Sequence, residues 1–311
     1  MGRCNFIPEC LVLVAICIGM YSPPVRAQLP PRLERCLPYP TLADEIRDMT
    51  TTGAEETVKV KATVDDVRIE STTHLPHDVQ RQLRISILET EFTGEPDNWL
   101  GELEEVGIRG FLRDRGYIKA TSRAKAELLG GDPTHKHFRV TIQLEAGPQY
   151  RLEKIRFEGD KAFSEEELRP LIRLREGQIF DVSKVREGLD AIYRNYSSKG
   201  FVDATSEPIT EIDEARGTIS LTIKVDEQQQ YRVGRFEILG LDQELESQLK
   251  SILKPGEFYN SKLVYGFFTE HKAVLPNDVW PESMRINRDA RTGLLSGVFD
   301  FRTCQQFQTQ Y

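Results

Sequence analysis

Five histidines and a handful of adjacent carboxylates are the residues of this chain whose types and spacing could do chemistry. His74 with His77, and His135 with His137, form an H-x-x-H and an H-x-H pair, and four imidazoles brought together would hold a divalent transition metal. The two pairs fall in separate turns that need not meet, so they read as surface histidines, and His271 has no partner in sequence. Glu165–Glu167 could pass for catalytic carboxylates. They directly follow Ser164, however, at the start of a helix, where the dipole favours negative charge. Glu104 and Glu105 suit a solvated helix face. No G-x-S-x-G, H-E-x-x-H or phosphate loop occurs. Gly130-Gly131-Asp132-Pro133 is a hairpin turn signal. The expectation is a protein that is no enzyme and uses neither metal nor cofactor.

The elements that position these residues are announced by repetition. Tyr150-Arg-Leu-Glu-Lys-Ile-Arg-Phe-Glu-Gly159 returns 81 positions later as Tyr231-Arg-Val-Gly-Arg-Phe-Glu-Ile-Leu-Gly240. Leu174-Arg-Glu-Gly-Gln-Ile-Phe-Asp181 returns 79 positions later as Leu253-Lys-Pro-Gly-Glu-Phe-Tyr-Asn260, and Gly116-Tyr-Ile-Lys-Ala120 returns 84 later as Gly200-Phe-Val-Asp-Ala204. Three fragments recurring in one order at nearly one period mean tandem copies of a small unit.

The middle copy reads most cleanly. Arg151–Phe157 is an apolar-alternating strand ended by Gly159. Ser164 and Glu167 form a capping box, Pro170 keeps that helix short, and Gly177 stops it. A second helix starts at Asp181 or Ser183 and carries Val185, Leu189, Ile192 and Tyr196 on one face. Phe201–Glu207 is a second strand, and Ile219, Leu221, Ile223 and Val225 alternate along a third. The unit is therefore β-α-α-β-β, and the fold class is α+β, with three three-stranded mixed sheets each covered on one face by two helices. Repeat one spans 57–148, with extra loop around Glu91–Asp97; repeat two spans 149–227. Repeat three, 229–304, is degenerate: Ala273-Val-Leu-Pro-Asn277 stands where the Gly-aromatic turn belongs, and its one visible late strand is Leu294–Arg302.

Upstream, Arg3, the 11-residue apolar run Cys10–Met20 and Val25-Arg26-Ala27 have the layout of a secretory signal peptide over residues 1–27, with a retained anchor as the alternative. Residues 28–56 read as a proline-rich linker and 305–311 as a tail. The formal charge of −8 disfavours nucleic acid and anionic membrane surfaces as partners, so membrane contact is expected to be peripheral. After cleavage Cys36 and Cys304 remain. In an oxidising compartment they could pair, or stay as separate thiols.

The repeats resemble polypeptide-transport-associated (POTRA) domains, on the strength of Phe157-Glu-Gly159, Glu176-Gly-Gln-Ile-Phe-Asp181 and Gly200-Phe-Val-Asp-Ala204. In that family such units precede an outer-membrane β-barrel, and nothing resembling barrel strands follows Phe301 here. The resemblance implies a periplasmic, non-catalytic scaffold that binds unfolded or extended outer-membrane polypeptides by strand addition; the alternative is an adaptor that docks onto a separate β-barrel protein. It also points to the second strand as the receiving edge, Gly116–Ala124 and Gly200–Glu207, flanked by Tyr117, Ile118, Phe201 and Val202. The same four side chains equally suit core positions that seal the helix-to-strand turn. The joints Gly147-Pro148-Gln149 and Gln228-Gln-Gln230 suggest one stiff and one adjustable hinge.

Overall fold

The computed structural model describes residues 60–159, 162–277 and 279–303. The leader, the linker, the tail and both Cys36 and Cys304 lie outside the described residues. The first unit contains β1 (Lys61–Ser71), α1 (His77–Leu88), β2 (Glu91–Thr93) and α2 (Pro96–Glu102). A π-helical segment (Leu103–Gly110), α3 (Phe111–Arg113), β3 (Thr121–Gly131) and β4 (His135–Glu145) complete it. The second holds β5 (Arg151–Glu158), α4 (Glu165–Leu168), α5 (Val182–Ser198), β6 (Thr205–Asp213) and β7 (Thr218–Asp226). The third holds β8 (Arg232–Leu239), α6 (Gln243–Ile252), α7 (Ser261–Glu270), β9 (Arg285–Asp289) and β10 (Leu294–Asp300).

Each unit has one mixed sheet whose last strand lies inside it, parallel to the first strand and antiparallel to the strand that precedes it in the chain. Ile155 and Phe157 of β5 sit opposite Leu221 and Ile223 of β7, so the alternating residues of both strands share the buried face. Three separate apolar clusters result, one per sheet. Helix starts follow the capping chemistry. Asp181, Asp242 and Asn260 accept from Lys184, Leu245 and Leu263 N–H at 3.3, 2.9 and 3.2 Å, and Ser164 N–H donates to Glu167 Oε2 at 2.8 Å. Pro170 lies in a 3₁₀ turn, Arg169–Leu171, that ends α4 after four residues.

Four features depart from the sequence expectation. The extra loop of the first unit supplies a fourth strand, β2, antiparallel to β1. The third unit has a second strand after all, β9, whose Arg-Ile-Asn-Arg-Asp composition hides it. Each first strand carries a one-residue bulge, at Asp65, at Glu153 and within Gly234-Arg235.

The fourth departure matters most. Tyr117–Ala120 and Phe201–Ala204 are turns, closed by Ala120 N–H to Tyr117 O and Ala204 N–H to Phe201 O at 3.2 Å each, and the strands begin only at Thr121 and Thr205. Gly116 and Gly200, at φ +84° and +91°, reverse the chain after the helix. Apolar alternation there reflects side chains splayed by a turn, not a pleat.

Candidate functional site: joints and open sheet edges

Each turn is half of a joint between units. Tyr150 N–H donates to Gly116 O at 2.9 Å and Tyr231 N–H to Gly200 O at 2.8 Å. One residue earlier, Gln149 Nε2 donates to Arg115 O at 2.9 Å and Gln230 Nε2 to Lys199 O at 2.8 Å. The two joints are thus built from the same hydrogen bonds. Tyr150 and Tyr231 are nearly fully buried in the cores of the second and third units.

The four flanking residues singled out from sequence belong to these joints. Tyr117 is buried in the first core, whereas Ile118 packs against the second core and Val202 against the third. Phe201 stays with its own core and meets Tyr196 edge-on at 5.9 Å. Added ion pairs differ: Lys119 with Glu214 at the first joint, Asp203 with Arg288 at 3.1 Å at the second. The Glu214 carboxylate hydrogen-bonded to Lys119 raises that ammonium's pKa. Burial, then the nearby Asp181 charge, raises the Asp114 carboxyl, whose Oδ1 has no hydrogen-bond partner.

The Gly-x-x-aromatic motif guards the first-strand edges. Gly177 N–H donates to Leu152 O and Leu152 N–H to Gln178 O, both at 2.8 Å, and Gly256 and Glu257 repeat the pair on Val233 at 2.7 and 2.8 Å. In the first unit β2 does this duty on β1. The opposite edges, β3, β6 and β9, end their sheets. Their outward N–H and C=O groups are what a further strand would pair with.

These edges are not equivalent. On β3, Ala124 N–H donates to Glu104 Oε1 at 2.5 Å, so the π-helical segment shields the start of the edge. The same parity places the Ala126 and Leu128 N–H groups outward, and Leu128 and Leu129 are exposed. On β6 the middle of the edge is Pro208, opposite Ile223. Proline is tolerated in an edge strand where its missing N–H faces outward, and there it deletes a donor. The long open stretch is therefore Ala126–Gly131, interrupted by a register shift between Leu128 and Gly130.

The rings of His135 and His137 lie 4.6 Å apart on β4, tilted by 33°, with Thr63 Oγ1 3.2 Å from a ring nitrogen of each and Asp65 at 3.0 Å from His137. Among the described residues no group of three or more His, Cys, Asp or Glu side chains is placed to hold a metal ion. No helix among the described residues is long and apolar enough to cross a membrane.

Residues 150–228 match the family model described as POTRA, surface antigen variable number repeat. A Treponema pallidum (strain Nichols) protein named "Putative outer membrane protein assembly factor" is 27% identical over 175 residues, which cover 51% of this chain and 20% of that protein. The match thus spans about a fifth of that curated relative's length. The crystal structure of Haemophilus influenzae BamA POTRA3-5 aligns with a TM-score of 0.59 at 21% identity, covering 81% of this chain and 100% of that one. Residues 150–228 thus match the POTRA family model, and over 81% of its length the chain shares the fold of a three-unit array.

Proposed function

We propose that this chain is a non-catalytic, exported scaffold of outer-membrane protein assembly or transport, which holds extended polypeptides by strand addition to its open sheet edges. The observation that carries the reading is the backbone of β3 from Ala126 to Gly131, which ends its sheet and lacks the Glu104 cover present at Ala124. A client recognised through main-chain groups needs alternation rather than a fixed sequence, which suits polypeptides still without tertiary structure. The family match and the assembly-factor relative support the periplasmic setting. Three edges on one array add their weak affinities through effective concentration.

The test is photocrosslinking from benzoylphenylalanine placed at Leu129 to an outer-membrane polypeptide diluted from urea. Crosslinks to the unfolded polypeptide, lost once it is folded into detergent, are expected. Capture of a folded barrel alone would overturn strand addition and favour the adaptor role.

A further inference from the structure

The two joints share one backbone scheme and carry opposite charges. Lys119 and Asp203 hold the same place in the matching turns Gly116–Ala120 and Gly200–Ala204. Lys119 Nζ donates to the Glu214 carboxylate, and the ammonium lies near the phenol of Tyr150, the residue just before β5. Asp203 is instead paired with Arg288 Nε at 3.1 Å, and its carboxylate faces the phenol of Tyr231, the residue just before β8. Each turn thus sets a charge against the unit that follows it, and the sign is reversed from one joint to the next.

The receiving faces differ in the same way. Glu214 directly follows Asp213, the last residue of β6, and Arg288 directly precedes Asp289, the last residue of β9. The two aspartates do equal work: each accepts from a backbone N–H of its own hairpin, Arg216 and Arg291 respectively, at 3.0 Å. Present on both faces, they cannot distinguish one from the other. Arg216 is already held by Glu153 at 2.7 Å. The charge left to meet an incoming turn is therefore acidic on the second unit and basic on the third.

Nothing else at the turns discriminates so sharply. Both joints use a tyrosine N–H on a glycine carbonyl, and both lodge a β-branched residue, Ile118 or Val202, on the next core. By backbone and shape, the first unit's turn could therefore settle on the third unit of another copy, the misassembly to which repeat proteins are prone. That docking would set Lys119 against Arg288. The converse error would set Asp203 against Glu214. Either mismatch replaces an attraction by a like-charge contact. All four side chains are partly exposed, so each pair adds little stability, but a small term decides between faces that are otherwise alike.

We infer that Lys119–Glu214 and Asp203–Arg288 form a charge key that fixes the order in which the units dock, and that what the key rejects is the wrong face of a second copy of this chain. The inference is independent of strand addition and of any client.

The test refolds isotopically heavy and light copies of the full chain together from urea at low ionic strength. A zero-length carbodiimide then couples amines to the carboxylates they touch, and mass spectrometry separates links within a chain from links between chains. The parent should give the 119–214 link within one chain. Arg288→Glu offers the first turn the acid it prefers and repels Asp203. Links between chains from Lys119 to position 288 are expected, with dimers about fivefold more abundant than in Arg288→Gln, which only removes the charge. They should fade in about 0.5 M salt, where the screening length is about 4 Å. Adding Lys119→Ala to Arg288→Glu should return dimers to the Arg288→Gln level. Dimers equally abundant in Arg288→Glu and Arg288→Gln, dimers that survive Lys119→Ala, or no link between chains in Arg288→Glu would each overturn the key.

Discussion

The joints and the open edges grow from one continuous stretch of each repeat, yet they end in opposite states. From Gly116 to Ala120 every step is committed: a left-handed glycine, a carbonyl taken by Tyr150 N–H, an apolar residue buried in its own core and another lodged on the next. A few residues later, from Ala126 onward, the same chain leaves its outward backbone groups free. The contrast is one of satisfied against unsatisfied peptide groups, not of apolar against polar side chains. It teaches that Tyr117, Ile118, Phe201 and Val202 fix where an edge begins and how units abut, while the recognition proposed above would fall to main chain farther along.

That contrast breaks most visibly at Gly200. A Cβ there would lie 2.6 Å from Tyr231 O on a backbone at φ +91°, so Gly200→Val meets both a clash and a conformation valine avoids. A loss of about 2–4 kcal/mol is expected. It would be read as a lower denaturation midpoint, together with a changed solution scattering profile as the second and third units part. Gly116→Val, whose Cβ would sit 2.8 Å from Tyr150 O, should do the same to the first joint. If either variant melted like the parent, the joints would not be the rigid half of the comparison.

At the edge the expectation inverts, with binding lost and folding kept. Ala126→Pro removes an outward donor from β3 without touching the pairing to β4, where Ala126 faces Val140. Peptide affinity at the first unit should fall about tenfold, the equivalent of 1.4 kcal/mol, with thermal stability nearly unchanged. The converse change is smaller. Pro208→Thr returns a donor to β6 and should raise crosslinking at the second unit about threefold, a fraction of one hydrogen bond's net worth.

What was legible in the sequence follows the same division. Repetition, capping residues and alternation revealed three β-α-α-β-β units, because Ser164, Asp181, Asp242 and Asn260 act within three residues of themselves. The joints were half visible. Their glycines and aromatics stood out as motifs, but nothing local shows that Gly116 O meets Tyr150 N–H, 34 positions away. β9 escaped notice because an edge strand with one half-buried isoleucine among charged residues has no apolar alternation to detect. The shield that Glu104 places over Ala124 is a tertiary contact, and the sequence read that glutamate only as a solvated helix residue.

The smallest effect tests whether the first joint is as well satisfied as it looks. Asp114 stands beside it with a raised pKa, caused first by burial and then by the Asp181 charge, and with Oδ1 unpartnered. An acid whose folded pKa lies above its unfolded value adds stability at low pH, where it is protonated in both states, and loses that contribution as pH rises through the folded value. Asp114→Asn should therefore stabilise the chain at pH 7 by about 0.5 kcal/mol, a modest figure because the group is only partly buried and solvent screens it. The gain should shrink as pH falls and vanish once the parent carboxyl is itself neutral. Paired thermal melts of parent and variant at pH 7 and pH 3 read the difference directly. A variant less stable than the parent at pH 7 would show that Asp114 acts as a paired anion holding the joint, and the two joints would then differ in electrostatics as the two edges differ in backbone.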